Sequence, residues 1–466
     1  MSWLDRDRTI APPGFNRWLI PPAALAVHLC IGQVYATSVY KTALVEYFGA
    51  SLTQIGVIFS IAIVMLGLSA AVMGTWVDAN GPRKAMFVSA MFWVGGFLIG
   101  ALGIFTGQLW LLYLGYGFIG GIGLGIGYIS PVSTLIKWFP DRPGLATGMA
   151  IMGFGGGALI ASPLSSALLS FFDPESGTPG WVASGDAVGK LFLTLGALYL
   201  VYMLYGAWSI RVPAADWKPE GFDPSTVASK SLVTTNHVSA ANAIKTRQFW
   251  LVWIVLFCNV TAGIGILEQA APMIQDFFRQ PDGASLVTAA GGFVGLLSIG
   301  NMGGRFVWSA TSDLIGRKRI YMIYLGAGAV LYALLSFFGD TSTILYVALA
   351  FVILSFYGGG FATVPAYLRD LFGTFQVGAI HGRLLTAWSA AGIAGPLIVN
   401  SFLDAQGTPG ELTAAAYYPA LLTMVGLLVV GFIANLLVTP VASRYHEPAK
   451  SEPAAPAQSA AQDGER

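Results

Sequence analysis

The sequence predicts an all-α membrane protein, with twelve transmembrane helices arranged as two six-helix bundles. Three observations predict it. Apolar residues make up 55% of the chain and charged residues only 10%, whereas a soluble domain carries about 25% charged residues. The apolar residues gather in long runs near the roughly 20 residues that a helix needs to cross a bilayer. One short charged motif also occurs twice, about half a chain apart.

Taken in order, the runs lie at 18–40, 55–77, 85–106, 109–130, 144–172 and 191–210, then at 249–274, 286–310, 320–338, 344–367, 377–402 and 415–438. Between the sixth and seventh runs, residues 211–248 are rich in Pro, Asp, Ser, Thr and Lys and read as a cytoplasmic linker. The organisation predicted is an N-terminal segment 1–16, a bundle 17–210, the linker 211–248, a second bundle 249–439 and a tail 440–466. The tail is Ala, Pro, Gln and charge and reads as disordered. The segment 1–16 holds Asp5, Arg6, Asp7 and Arg8 and lacks a small-residue cleavage site, so no cleavable leader is expected. The two cysteines, Cys30 and Cys258, lie inside apolar runs, which gives no disulfide framework.

Positive charge sets the orientation. With both termini inside, 20 of the 24 Lys and Arg fall on the cytoplasmic side. Lys41, Lys190 and Arg279 fall outside, and Arg305 lies within a span. The expectation is a multi-pass protein of the inner (plasma) membrane with both termini cytoplasmic. A formal net charge of +1 gives no reason to expect a nucleic-acid partner.

The repeat fixes the two-bundle arrangement. After the second run come Gly74, Asp78, Gly81, Arg83 and Lys84; after the eighth come Asp313, Gly316, Arg317, Lys318 and Arg319. Asp78 to Asp313 is 235 residues, as is Gly81 to Gly316, and half of 466 is 233. Two halves with the motif in the same place are parallel repeats about an axis along the membrane normal. Glycine permits a tight reversal. The acid suits a neighbouring helix N-terminus, and the basic residues suit pairing across the seam between halves. Asp78, Gly81, Arg83, Asp313, Gly316 and Arg317 are therefore candidate gating residues.

Arg305 is the most informative residue. It sits four residues after Asn301, on the same helical face, and eight before Asp313. That places it about 12 Å into the span at roughly 1.5 Å per residue. A charge at mid-span costs roughly 2.5–3.5 kcal/mol on insertion scales, so such residues usually face a cavity and mark a pathway. A guanidinium fork matches a carboxylate. The substrate expected is a small organic anion. Glu268 in the seventh run and His28 in the first are candidates for carrying a coupling proton. Arg383 reads as an interfacial anchor. The glycines of the fourth and fifth runs read as close helix packing, since a nucleotide loop would need a strand-turn-helix context.

The whole chain, with its twelve runs and doubled motif, resembles the major facilitator superfamily. In the first copy, Ala79 and Pro82 stand where that family usually has basic residues, which implies a weaker latch there. Asn16, Arg17 and Trp18, the stretch Gly32 to Tyr35, Lys137 to Arg142 with Gly144 to Gly148, and Gln248 to Trp250 resemble the oxalate/formate antiporter family, itself similar to the monocarboxylate transporters. In that family an Arg on the eighth helix and a Lys on the eleventh hold the substrate inside an aromatic cage. By that resemblance Arg305 is the Arg, and Tyr35 and Tyr128 are cage tyrosines. Phe154 and Phe361 stand where the cage has Tyr, and Tyr357 where it has Trp. Trp388 stands in place of the Lys. One cation instead of two implies a monoanion.

The expectation is a secondary transporter of short monocarboxylates of the lactate, pyruvate or formate type. It would work by alternating access, with proton symport or anion exchange, as a monomer in the bilayer, without cofactor, metal or catalysis. An oxalate/formate-type dicarboxylate exchanger and an exporter of drugs or amphiphiles are the alternatives. A membrane enzyme would need clustered catalytic groups or a larger soluble domain than residues 211–248 and 440–466 provide.

Overall fold

The computed structural model describes residues 3–50, 52–175, 183–215, 217–222, 234, 236–278, 287–406 and 412–447. Among the described residues the regular elements are helices, joined by one isolated parallel bridge between Ile10 and Val212. The first six membrane helices are α1 (Arg17–Ala36), α2 (Leu52–Asn80), α3 (Pro82–Phe105), α4 (Leu109–Trp138), α5 (Pro143–Phe172) and α6 (Gly185–Ser209). The second six are α7 (Arg247–Phe277), α8 (Val287–Ile315), α9 (Arg317–Thr341), α10 (Thr343–Phe372), α11 (Val377–Leu403) and α12 (Ala414–Leu436). Eleven described segments are apolar and long enough to cross a membrane. The twelfth helix, α8, has the length, 29 residues, but its apolar run is interrupted by Asn301 and Arg305. The first run also continues past α1 as the helix Ser38–Phe48.

Local chemistry sets the helix starts. Asn16, Ser184 and Thr246 each accept from a backbone N–H in the first turn of α1, α6 and α7. Proline opens α3 and α5, where its missing N–H has no intrahelical partner to lose. Gly81 and Gly316 separate α2 from α3 and α8 from α9 at φ 86° and 92°. Side chains rarely adopt that backbone conformation, which is why the motif carries glycine there.

Helices α1 to α6 pack on one another, as do α7 to α12. The two sets meet along α5 against α8 and α2 against α11. Both seams are lined by glycine. A Cβ on Gly74 would stand 2.7 Å from the Ala379 Cα, and one on Gly148 would stand 2.8 Å from the Arg305 carbonyl. The two motif turns lie at one end of the molecule, here termed the motif end. The N-terminal segment and the first linker residues are there too, zipped by Ala11 N–H to Val212 O and Val212 N–H to Thr9 O, both 2.9 Å.

The chain after α12 is also folded at this end. Glu447 donates its N–H to His237 O at 2.8 Å, and its carboxylate accepts from Ser239 N–H at 3.1 Å. Hydrogen bonds from Ser239 hold that carboxyl below the usual carboxylate range. The disorder expected of 440–466 therefore does not extend to 440–447; 448–466 lie outside the described residues, as do linker residues 223–233. Cys30 and Cys258 are buried free thiols.

Candidate functional site

Arg305 is completely buried where the seams meet. Its Nε donates to Asn301 Oδ1 at 3.0 Å and its Nη1 to Ile151 O of α5 at 3.3 Å. Asn301 thus orients the guanidinium, its carbonyl already engaged. The guanidinium carbon lies 5.3 Å from the Phe361 ring centroid and 5.8 Å from that of Phe154, close enough for cation–π attraction. Gly155 leaves the space: a Cβ there would be 3.3 Å from Arg305 Nε. Among the described residues Nη2 has no hydrogen-bond partner.

The predicted aromatic residues close around this group. Trp388 packs on Phe361, Phe154 and Tyr128 at centroid separations of 4.5, 5.4 and 5.7 Å. Tyr128 meets Phe154 and Phe361 at 5.6 Å each. Tyr35 stands edge-on to Phe154 at 5.2 Å. It is carried there by a 3-10 turn, Gly32–Ala36, in which Gly32 lies against the Phe154 backbone. The Tyr35 and Tyr357 hydroxyls are electrostatic neighbours without meeting hydrogen-bond geometry. The ring draws residues from both halves, so its shape depends on how the halves sit.

What the site offers is unspent donors. Besides Arg305 Nη2, the hydroxyls of Tyr35, Tyr128 and Tyr357 and the indole N–H of Trp388 are buried without partners among the described residues. Buried polar groups normally find partners, so a cluster of open donors around a cation asks for an acceptor-rich anion.

His28 sits beside the ring rather than in it. Its Nδ1 lies 2.5 Å from Ala150 O and its Nε2 3.1 Å from Tyr128 O, so each nitrogen faces a backbone carbonyl and one of them donates in the neutral ring. Its ring stacks on Tyr128 at 5.3 Å. The side chain of Glu268 lies outside the described residues. His381 was missed from the sequence. It is buried with Nε2 unpartnered, 5.7 Å from the Tyr128 ring. The rule that singled out His28, a titratable residue in an apolar run, applies equally to it.

The motif acids cross between the halves. Asp313 accepts from Gly144 N–H at 2.9 Å and Leu145 N–H at 2.8 Å, at the N-terminus of α5. Asp78 accepts from Ala379 N–H of α11 at 3.0 Å, with Lys137 Nζ 3.9 Å away. The basic residues do not cross, contrary to the sequence reading. Arg317 pairs with Asp313 at 2.5 Å and Asp370 at 3.3 Å. Arg83 donates to the carbonyls of Trp3, Arg8, Trp208 and Ile210. The end of α6 and the N-terminal segment present terminal carbonyls to Arg83, two of which, Trp208 O and Ile210 O, it shares with Arg211. Arg383 donates to the Ala379 carbonyl, 3.3 Å away on its own helix.

Two helical bundles closing on one buried, half-satisfied cation define a polytopic membrane carrier with a central site. The sequence profile of the Major Facilitator Superfamily matches residues 23–396 and 295–461. The chain belongs to that superfamily and is a membrane transporter. It is 29% identical to the oxalate:formate antiporter of Oxalobacter formigenes over 389 residues, 82% of this chain and 83% of that one. It is 27% identical to apicoplast pyruvate carrier 1 of Toxoplasma gondii, covering 66% and 62%, and 24% identical to monocarboxylate transporter 2 of Mus musculus, covering 85% and 80%. The fold is shared with the superfamily transporter FucP in its outward conformation, with a TM-score of 0.65 at 14% identity over 91% of this chain and 100% of that one.

Proposed function

We infer that this protein carries short monocarboxylates of the lactate, pyruvate or formate type, neutralising the carboxylate on Arg305 inside the ring of Tyr35, Tyr128, Phe154, Tyr357, Phe361 and Trp388. The observation that carries the reading is the open Nη2 of a completely buried arginine amid unpartnered aromatic donors. The names of the relatives, for oxalate, formate, pyruvate and monocarboxylates, support the same class. A single arginine balances a monoanion, whereas a dianion would keep an unpaired charge in a desolvated site, which is strongly unfavourable.

On this reading the halves 17–210 and 249–439 rock about the site as a monomer in the plasma membrane. The motif end and both termini face the cytoplasm, and a proton or a second anion drives the cycle. Thermal shift of the purified protein against short carboxylates tests it. Lactate or pyruvate should raise the melting temperature of wild type, and Arg305→Ala should abolish the shift while the protein still inserts and folds. Arg305→Lys should bind at least tenfold more weakly, because a point charge replaces a fork, a loss of about 1.4 kcal/mol or more. An undiminished shift in Arg305→Ala would sink the assignment.

A further inference from the structure

We propose that His381 is the residue whose protonation is coupled to anion binding, a proposal that rests on the carboxylate reading above.

Three features of the site point to it. The first is placement. His381 lies on α11, two turns from Trp388 and two residues beyond Ala379, whose N–H binds Asp78. It therefore occupies the seam between the aromatic ring and the motif-end latch. Tyr128 separates it from His28, so one tyrosine ring meets a histidine from each half.

The second is availability. Both His28 nitrogens already face carbonyls of its own half. His28 is pinned between α4 and α5 by these two carbonyls, whichever nitrogen carries its proton, so its ring is fixed within its own half. His381 Nε2 is buried and unpartnered.

The third is the surrounding charge. Packed on this stretch of α11 are α2, α4, α7, α10 and the short helix Ala240–Ala243. Their described charged groups are engaged elsewhere. Asp78 holds Ala379 N–H and faces Lys137; Arg247 donates to Leu437 O; Asp276 binds the Tyr417 hydroxyl; Asp370 is held by Arg317 and Arg369. On its own helix Arg383 donates to Ala379 O. His28 faces His381 across Tyr128, and the rings on which Tyr128 packs, Phe154 and Phe361, are the two that lie against the Arg305 guanidinium. A proton on His381 adds a second cation to a desolvated interior that already holds one.

An anion on Arg305 removes that conflict. Binding the anion therefore raises the proton affinity of His381, and protonation raises the affinity for the anion by the same factor, since linkage is reciprocal. The proton comes from the solution on the loading side and leaves with the anion on the other, so one carboxylate and one proton cross together. His381 acts through the charge balance of the site and does not itself touch the carboxylate.

The experiment uses the purified full chain with lactate as probe. Calorimetric titrations in two buffers of different ionisation heat give the protons taken up per lactate bound. Wild type should take up a fraction of a proton approaching one, and His381→Gln close to none. In vesicles, the ratio of pH-gradient-driven net uptake to lactate–lactate exchange should fall by about tenfold in His381→Gln, within the usual range of coupling between two sites. An unchanged ratio overturns the proposal, as does proton uptake that persists in His381→Gln but disappears in Glu268→Gln or His28→Gln. Should His381→Gln not fold, wild type decides alone: a lactate Kd that stays flat from about pH 5 to about pH 8, the range in which histidine titrates, overturns it. Lactate binding with no proton linkage refutes His381 alone; no binding of any short carboxylate refutes the carboxylate reading as well.

Discussion

On the proposed reading, two side chains decide what the site accepts. Arg305 supplies the charge, and Trp388 occupies the position where the resembling family carries lysine. Trp388 is fully buried against three aromatic rings, with its indole N–H open. On the proposed reading it caps the apolar side of a short anion and excludes a second carboxylate by bulk and by lack of charge. Trp388→Lys adds the missing cation. In competition assays on reconstituted vesicles, oxalate should gain at least about tenfold against lactate, because pairing a desolvated charge is worth well over 1.4 kcal/mol. Strong inhibition of wild type by oxalate, with none by lactate or pyruvate, would contradict the one-cation argument. Arg305 was legible in the sequence because a charge inside an apolar run is costly and stands out. His381 carries the same signal as His28, a titratable residue in an apolar run; what the sequence does not show is its meeting with Tyr128, on a helix more than 200 residues earlier in the chain. No periodicity within either helix encodes that meeting.

At the scale of elements, each motif turn anchors the start of a helix in the opposite half. The two anchors are unequal. Asp313 satisfies two N–H groups of α5 and is braced by Arg317; Asp78 satisfies one N–H of α11. The first copy's departures, Ala79 and Pro82, already implied that order. Losing a carboxylate cap costs about 0.5–2 kcal/mol. Asp313→Asn should shift the protein several-fold toward states open at the motif end, and Asp78→Asn should shift it less. The readout is labelling of a cysteine placed at Ser309, which the latch covers. Equal labelling of both variants and the parent would argue against the latch. The acid and glycine of each turn could be read from spacing alone. The fate of Arg83 could not, since it depends on where the last carbonyls of α6 come to rest.

For the molecule as a whole, the proposed orientation, argued from the distribution of positive charge, puts the motif end in the cytoplasm. Glu220, in the linker, and Asp186, at the opposite end of α6, are both exposed. On intact cells an impermeant thiol reagent should label Asp186→Cys and spare Glu220→Cys until the membrane is permeabilised; the reverse pattern would invert the topology. The twelve-helix plan was readable from apolar run length. It is weakest at α8, because the residues that dilute that run are the ones on which the proposed transport depends.

The contacts that span the latch have a consequence for how it responds to salt. The ion pairs Arg17–Asp141, Lys137–Asp78, Arg317–Asp313 and Arg317–Asp370 each lie within one half, whereas both motif acids cross to backbone N–H groups. Parting the halves along these contacts exposes a carboxylate to water without pulling it from an opposite full charge. Dissolved ions screen charge pairs over about 10 Å at 0.1 M, but they do little to a short hydrogen bond with a buried amide. Transport turnover should therefore change less than about twofold between roughly 0.05 and 0.5 M of an inert salt at constant substrate occupancy. A carrier latched by ion pairs across the seam would speed up steadily with ionic strength over the same range.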